Sequence, residues 1–529
     1  MRGLLLALVL TVCGSFAAEA ATHSVPWRIT KDHWDEKDEI GYGRFITALG
    51  DSGCSSSQSC LRDPANPYRG SDGAFLDIDV DCAKLPYLLR AYYAWKNGLP
   101  FSYVNGVAGT RFGATSNRVV GRAHIIDNGS GINGAAVLRE MIDSVYSATF
   151  RTDARADSAV PSDFYSPALQ PGSIRPGTII YDTNAHIGIV YRVEPSGRIH
   201  YMDAHPDFTI TRSVYGAQFG RSPAALGWGL KNWRPLRLVG ARRDNGRLVG
   251  GRYVFARNNQ IRDFSLVQYL GTEPNPAGDE SKARWSYNGA RLGYYEYVRV
   301  AVSGGRTDFN PVYELQANMR ILCNDLNDRA LAVNQAIANG ISAKLHPSQI
   351  PSNIYSSDNG EWESYATPAR DARLKARFVA LRRDLARMIG QWLNRDPRIV
   401  YDGTDLKGDL LNVYDQQSQA CTITYLSSDK RPVSLTFDDM SRRLFAMSFD
   451  PYHCVELRWG GDGMGCPDQV GKRRWYAAEA QMRREVDRDS RALAGPQDVD
   501  IRGLIAQMPA RAPWVQRMPG SPRAGAAQR

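Results

Sequence analysis

Cys82 stands in Asp81-Cys82-Ala83-Lys84-Leu85, at the head of a stretch whose apolar residues Leu85, Leu88, Leu89, Tyr92 and Trp95 recur at helical spacing. Far downstream, a glycine-punctuated apolar run opens on a histidine, His186-Ile187-Gly188-Ile189-Val190, and a following run ends Met202-Asp203-Ala204-His205. A thiol at a helix N-terminus faces unpaired backbone N–H groups and the positive end of the helix dipole, both of which favour the thiolate. An imidazole within reach completes an ion pair and later returns the proton to a leaving amine. A third polar group must orient the ring, and Asp203 or His205 is placed to do so. Backbone N–H groups at the same helix start supply oxyanion donors, each worth about 3 kcal/mol. These residue types predict a cysteine hydrolase acting through a thioester.

The elements that carry these groups follow from periodicity. The pattern predicts a helix from Cys82, as its N-cap, to Asn97-Gly98, with Pro86 tolerated in the first turns. Another helix is expected over Ala135–Tyr146. Strands are expected over Thr178–Tyr181, Ile187–Val193 and Arg198–Asp203, the last two joined by Glu194-Pro195-Ser196-Gly197. Short connections make them an antiparallel meander, so the unit is α+β: a helix bearing the thiol, packed on a sheet bearing the histidine. Short aromatic strands are expected at Tyr253–Phe255 and Tyr294–Val300. Two long amphipathic helices begin at Asn310-Pro311 and Thr367-Pro368, and a third is expected over Arg473–Leu493. The chain thus divides into a signal peptide (1–20), an N-terminal extension (21–62), the α+β unit (63–239), a β-containing connection (240–310), a helical region (311–494) and a disordered tail (495–529).

The signal peptide is read from Met1-Arg2-Gly3, the apolar run from Leu4 to Val12 and the small residues ending Ala18-Glu19-Ala20. No other run of this kind predicts a membrane span in the mature chain. Export to the periplasm or beyond places the remaining seven cysteines in an oxidising compartment. Proximity suggests Cys54 with Cys60 and Cys454 with Cys466, leaving Cys323 for Cys421 and Cys82 unpaired. The net charge of +10 suits an anionic envelope polymer such as peptidoglycan, but it is spread along the chain and not clustered, as in a solvated, arginine-rich exterior, and no nucleic-acid partner is expected. Neither a phosphate-cradling loop nor a dinucleotide fingerprint is present, no zinc spacing links cysteines or histidines, and no cofactor is expected. His33, His124, His346 and His453 receive no role.

Asp81-Cys82-Ala83 resembles the Asp-Cys-Ser/Ala motif of the NlpC/P60 peptidases, papain-like enzymes of bacterial cell-wall turnover. Pro176-Gly177-Thr178-Ile179 resembles their Pro-Gly-Asp strand lead-in, and Ala185-His186-Ile187-Gly188-Ile189-Val190 their His-Val-Gly-Ile strand. The resemblance covers residues 63–239. It implies a papain-like fold, catalysis by Cys82 and His186, and a third residue at Asp203, where the family more often has His; His205 remains an alternative. It also implies an oxyanion contribution from Tyr68, in Pro67-Tyr68-Arg69-Gly70. Lys84 stands where the family has Gly. The implied activity is hydrolysis of an amide in peptidoglycan stem peptides. A non-catalytic wall-binding protein, or an acyltransferase or transglutaminase-like enzyme on the same scaffold, are the alternatives.

Overall fold

The computed structural model describes residues 26–72, 76–306, 308–352, 354–355, 360–463, 465–485, 497–509 and 514. The expected signal peptide lies outside them, as does most of the expected disordered tail. The described part of that tail is ordered. Ile501–Ala506 forms a short helix capped by Asp500, with Ile501 and Ile505 buried in the C-terminal core. Two isoleucines one helical turn apart suffice to dock a segment whose surroundings are rich in Pro, Ala and Arg.

Six antiparallel strands form the central sheet, in the order Phe164–Tyr165, Gly229–Trp233, Ile179–Asp182, His186–Val193, Ile199–Ala204 and Ile210–Val214. The last four are consecutive in the chain, so the expected meander is present and longer by one strand. Gly197 turns the chain between the histidine strand and the next with φ 76°, and a Cβ there would collide with the Arg299 carbonyl.

These strands are apolar on both faces because both are covered. Ile179, Tyr181, Ile187, Ile189, Met202 and Ala204 enter one core, shared with helices Glu36–Ser52 and Lys84–Lys96. Ile180, Val190, Tyr201 and Leu230 enter a second, shared with helices Tyr294–Val302, Pro311–Ala338 and Pro368–Leu393. The segment read as an N-terminal extension is therefore a wall of the first core. Phe45, Ile46 and Leu49 are buried there, Thr47 donates to the Tyr191 carbonyl at 2.7 Å, and Glu39 takes a bidentate pair from Arg90 at 2.5 and 2.9 Å. The C-terminal helices are equally a wall of the second.

Three local expectations are corrected. Tyr294–Val300, read as a strand, lies in a helix: Tyr294, Tyr297, Val298 and Ala301 are buried at helical spacing near Trp228 and Trp285, and packing overrides the strand preference of Tyr and Val. The region after Leu99, read as loops before a helix, also contains a hairpin of Phe101–Ala108 with Arg118–Ile125. The helix expected over Arg473–Leu493 runs instead over Gln469–Ala478; Glu479 and Arg483 then turn into the interior, and residues 486–496 lie outside the described set.

Cys54–Cys60, Cys323–Cys421 and Cys454–Cys466 are disulfides, as expected, and Cys82 is free. Three disulfides suit an extracellular or periplasmic protein. No described helix is long and apolar enough to cross a membrane. The two long helices are joined by a buried ion pair, Arg329 to Asp371 at 2.7 and 3.1 Å. Arg329 also donates to the carbonyls of Ser448 and Arg458, and Arg458 donates to that of Ser448.

Candidate active site

The cysteine helix spans Lys84–Lys96, and Cys82 lies in the turn before it rather than at the N-cap. Asp81 does the capping: its Oδ1 accepts from the N–H groups of Ala83 and Lys84 at 3.1 and 3.3 Å, and its carbonyl accepts from Leu85 at 3.1 Å. Pro86 has no N–H to give the Cys82 carbonyl, so regular bonding starts one turn later. Lys84 places its ammonium 3.3 Å from Asp81. Among the described residues the Cys82 N–H has no hydrogen-bond partner.

Cys82 is half-buried, and its sulfur sits on the backbone flanking His186. The thiol donates to the Ala185 carbonyl at 3.7 Å, and the Ile187 N–H points at the sulfur. These are backbone groups that a neighbouring strand would otherwise use; pairing with the aspartate strand starts only at Ile189 and Met202. Ala185 holds φ 66°, an uncommon conformation for a residue with a Cβ.

Asp203 is the partner of His186: Oδ2 lies 2.5 Å from Nε2. That leaves Nδ1 as the ring nitrogen without a bond. The other carboxylate oxygen accepts from Thr211 at 2.7 Å, whose hydroxyl is 2.9 Å from His205 Nε2. His205 stacks on His186 at 5.7 Å between ring centroids and does not bond it. The alternative third residue thus stands behind the aspartate. Cys82 and His186 make no hydrogen bond with each other. By strand alternation His186 and Asp203 share the face covered by the C-terminal helices, whereas the cysteine helix packs on the opposite face.

Tyr68 is not at this site. Its hydroxyl lies 3.0 Å from the Asn97 amide nitrogen, beyond the C-terminal end of the 13-residue cysteine helix. A helix of that length spans about 20 Å, so the oxyanion role expected of Tyr68 is ruled out. The tyrosine instead packs its ring against Phe45, Tyr92 and Tyr93.

The electrostatics reverse the expected ion pair. Burial, then the Asp81 carboxylate, push the Cys82 thiol up to about 12; Asp203 adds to this, while the Ile187 N–H and Arg111 oppose it. Burial and then Arg373 lower His186, against the hydrogen bond and charge of Asp203. Burial works to raise Asp203, but His205, the hydrogen bond from His186 and the Arg373 guanidinium outweigh it and hold the carboxyl well below its ordinary value. The resting site is a neutral thiol beside a neutral imidazole and an ionised aspartate. Alkylation of Cys82 by iodoacetamide is therefore expected to be far slower at pH 7 than in the unfolded chain, and to climb about tenfold per pH unit to pH 10. A fast rate that plateaus below pH 7 would show a preformed thiolate.

Helix Pro368–Leu393 brings cations to the site that no motif announces. Arg373 lies 3.8 Å from Asp203, and Arg370 pairs with Asp207 at 3.0 Å. Removing the Arg373 charge relieves repulsion on the imidazolium, so Arg373→Gln is expected to raise the pH at which the His186 ring titrates, read by NMR of its carbon-bound protons. A downward movement would contradict this arrangement.

Two further groupings lie apart from the thiol. A cavity of about 680 Å³ on the second face is lined by Arg221, Tyr294, Arg299, Arg377 and Arg387 among others, and neither Cys82 nor His186 borders it. His346 and His453, assigned no role from sequence, come together with Asp450 and Glu479. Only the Asp450-Pro451-Tyr452-His453 segment offers a local signal for this grouping, and two potential ligands three residues apart are too common to be read alone.

No protein-family model, curated protein or solved structure matches the chain.

Proposed function

We propose that the protein is an exported cysteine hydrolase of the NlpC/P60 type, with a papain-like catalytic unit, cleaving amide bonds in peptidoglycan stem peptides. One observation carries the reading: the one free thiol among the described residues and an aspartate-bound imidazole converge on the same strand end, Cys82 on the backbone of Ala185 and Ile187, Asp203 on His186 at 2.5 Å. The charge of +10 fits an anionic polymer substrate.

Because thiol and imidazole rest neutral, His186 acts as a general base in the attack itself. The Cys82 side chain leaves the Ala185 carbonyl and turns to the unbonded Nδ1. Nδ1 takes the thiol proton as sulfur bonds to the substrate carbonyl carbon. The Cys82 N–H, free of other partners, is the nearest donor for the oxyanion. Collapse breaks the C–N bond, the imidazolium gives its proton to the departing amine, and a thioester remains. Water then attacks with His186 as base, the C–S bond breaks, and the thiol regains its proton. Asp203 holds the ring by Nε2 throughout and stabilises the imidazolium.

A second reading, a non-catalytic envelope-binding protein on the same scaffold, is favoured by the missing thiol–imidazole hydrogen bond and the C-terminal helices that cover the histidine face. The two separate when the protein is incubated with purified peptidoglycan and the supernatant is analysed by mass spectrometry. Hydrolysis releases soluble peptides bearing a new carboxyl terminus. Binding to the polymer without such release overturns the catalytic reading.

A further inference from the structure

His346, Asp450, His453 and Glu479 each bring a donor atom to within 4.8 Å of the others. Their side chains are all at most 1% exposed. His346 Nδ1 lies 2.7 Å from the Pro347 carbonyl, which only accepts, so this nitrogen carries a proton and Nε2 is the nitrogen turned to the cluster. Nε2 faces Asp450 Oδ2 at 2.6 Å. Two lone pairs at such a distance repel unless a proton or a metal cation lies between them.

The remaining donors are equally unsatisfied. His453 Nδ1 lies 2.6 Å from Ser448 Oγ, while Nε2 is buried without a hydrogen-bond partner, 3.7 Å from Asp450 Oδ2. No N–H or O–H donor of the described residues reaches either buried carboxylate oxygen of Glu479, which faces the Asp450 carboxylate, a pairing that itself needs a proton or a cation between them. Among the described residues no lysine or arginine forms an ion pair with Asp450 or Glu479. Buried carboxylates without compensation are costly, and native interiors pair them or place them on metals. With both carboxylates ionised and both imidazoles neutral, as metal ligands must be, the four side chains carry −2, the complement of one divalent cation; Arg458 and Arg483 act on them only from beyond ion-pair distance.

We propose that His346, Asp450, His453 and Glu479 bind one zinc-class divalent transition metal in a closed, structural site. Imidazole and carboxylate donors suit zinc, and four protein ligands leave no open position for substrate. Ligands about 2 Å from zinc stand roughly 3.3 Å apart in a tetrahedron, so small side-chain rotations close the set. The surroundings are those of a metal's outer shell. Pro347 and Ser448 fix the imidazoles through their far nitrogens, Trp475 stacks on His346 at 4.7 Å, and Tyr476 meets His453 edge-on. The ion would tie the loop before residue 350, the loop 448–454 and the end of helix Gln469–Ala478 into one body, beside the Cys454–Cys466 disulfide.

The test uses the full mature protein. Metal content is measured on protein purified without chelator; the protein is then stripped with dipicolinate and titrated with Zn²⁺ or Co²⁺ alone. The expected result is about one Zn²⁺ per chain, a rise in Tm on reloading, and the intense visible bands of tetrahedral cobalt. His453→Gln and Glu479→Gln should each lower the content below about a tenth of an equivalent, and Ser448→Ala should weaken affinity roughly 10–100-fold. Folded wild type that takes up no stoichiometric Zn²⁺ and gives no tetrahedral cobalt spectrum overturns the proposal. So does unchanged affinity in both ligand variants. Should those variants fail to fold, the wild-type titration and cobalt spectrum still decide.

Discussion

Cys82→Ala is expected to lower kcat/KM for stem-peptide hydrolysis by roughly 10^4-fold or more, with Tm unchanged within about 2 °C. Without sulfur there is no thioester, and residual rate comes only from substrate binding and the oxyanion donor. The packing loss is small, since the thiol is half-buried and its bond to the Ala185 carbonyl is long. Asp203→Asn should fall short of this but still cost about 10^3–10^4-fold in kcat, because an amide at that position offers the ring the wrong hydrogen-bonding partner. Kinetics on a defined stem peptide, with thermal melts of each variant, checks both. Should Cys82→Ala keep a tenth or more of the wild-type rate, the thiol is not the nucleophile.

The second large effect is on stability. Asp371→Ala should destabilise the protein by about 3–5 kcal/mol, measured by urea unfolding with the disulfides intact. Among the described residues Asp371 is the only anion bonded to Arg329, whose side chain is 1% exposed, and the Arg458 guanidinium is buried close by. Burial and then Arg329 already push Arg458 down to about 9. Removing the carboxylate leaves two neighbouring buried cations to be hydrated or discharged. An Arg329→Met/Asp371→Leu double variant should recover part of the loss. It cannot recover all of it, because Arg329 also donates to the Ser448 and Arg458 carbonyls. A loss below about 1 kcal/mol for Asp371→Ala would mean that water already reaches this cluster.

The thiol, the histidine strand and two of the disulfides were legible because each has a local signature: an odd cysteine, a glycine-punctuated apolar strand opening on histidine, and cysteines 6 and 12 residues apart; Cys323–Cys421, 98 residues apart, followed only as the remaining pair. The C-terminal contribution was not. Arg370 and Arg373 reach the site because Pro368–Leu393 covers the back of the sheet, and nothing in a helical stripe says which sheet it will cover. Tyr68 misled because a tyrosine in a turn upstream of a cysteine fits a pattern in sequence, while its hydroxyl is held at the wrong end of the helix. The thiol's raised pKa was hidden for a related reason. The Asp81 carboxylate takes the helix N-terminus for itself, and proximity in sequence does not reveal which of two neighbouring groups will cap. The four-residue cluster at His346 escaped because its members run from 346 to 479 and meet only through tertiary packing.

The sheet buried on both sides has a consequence for how the chain must be made. During synthesis residues up to 239 emerge first, and they already contain all six strands. Their second face, with Ile180, Val190, Tyr201 and Leu230, has no cover until helices Pro311–Ala338 and Pro368–Leu393 are available. Until then the nascent chain carries a naked apolar surface, the kind of intermediate that aggregates unless held. Genetic truncation near residue 239 would make that interim state permanent, so a fragment ending there should be insoluble even though every residue of the candidate triad is present.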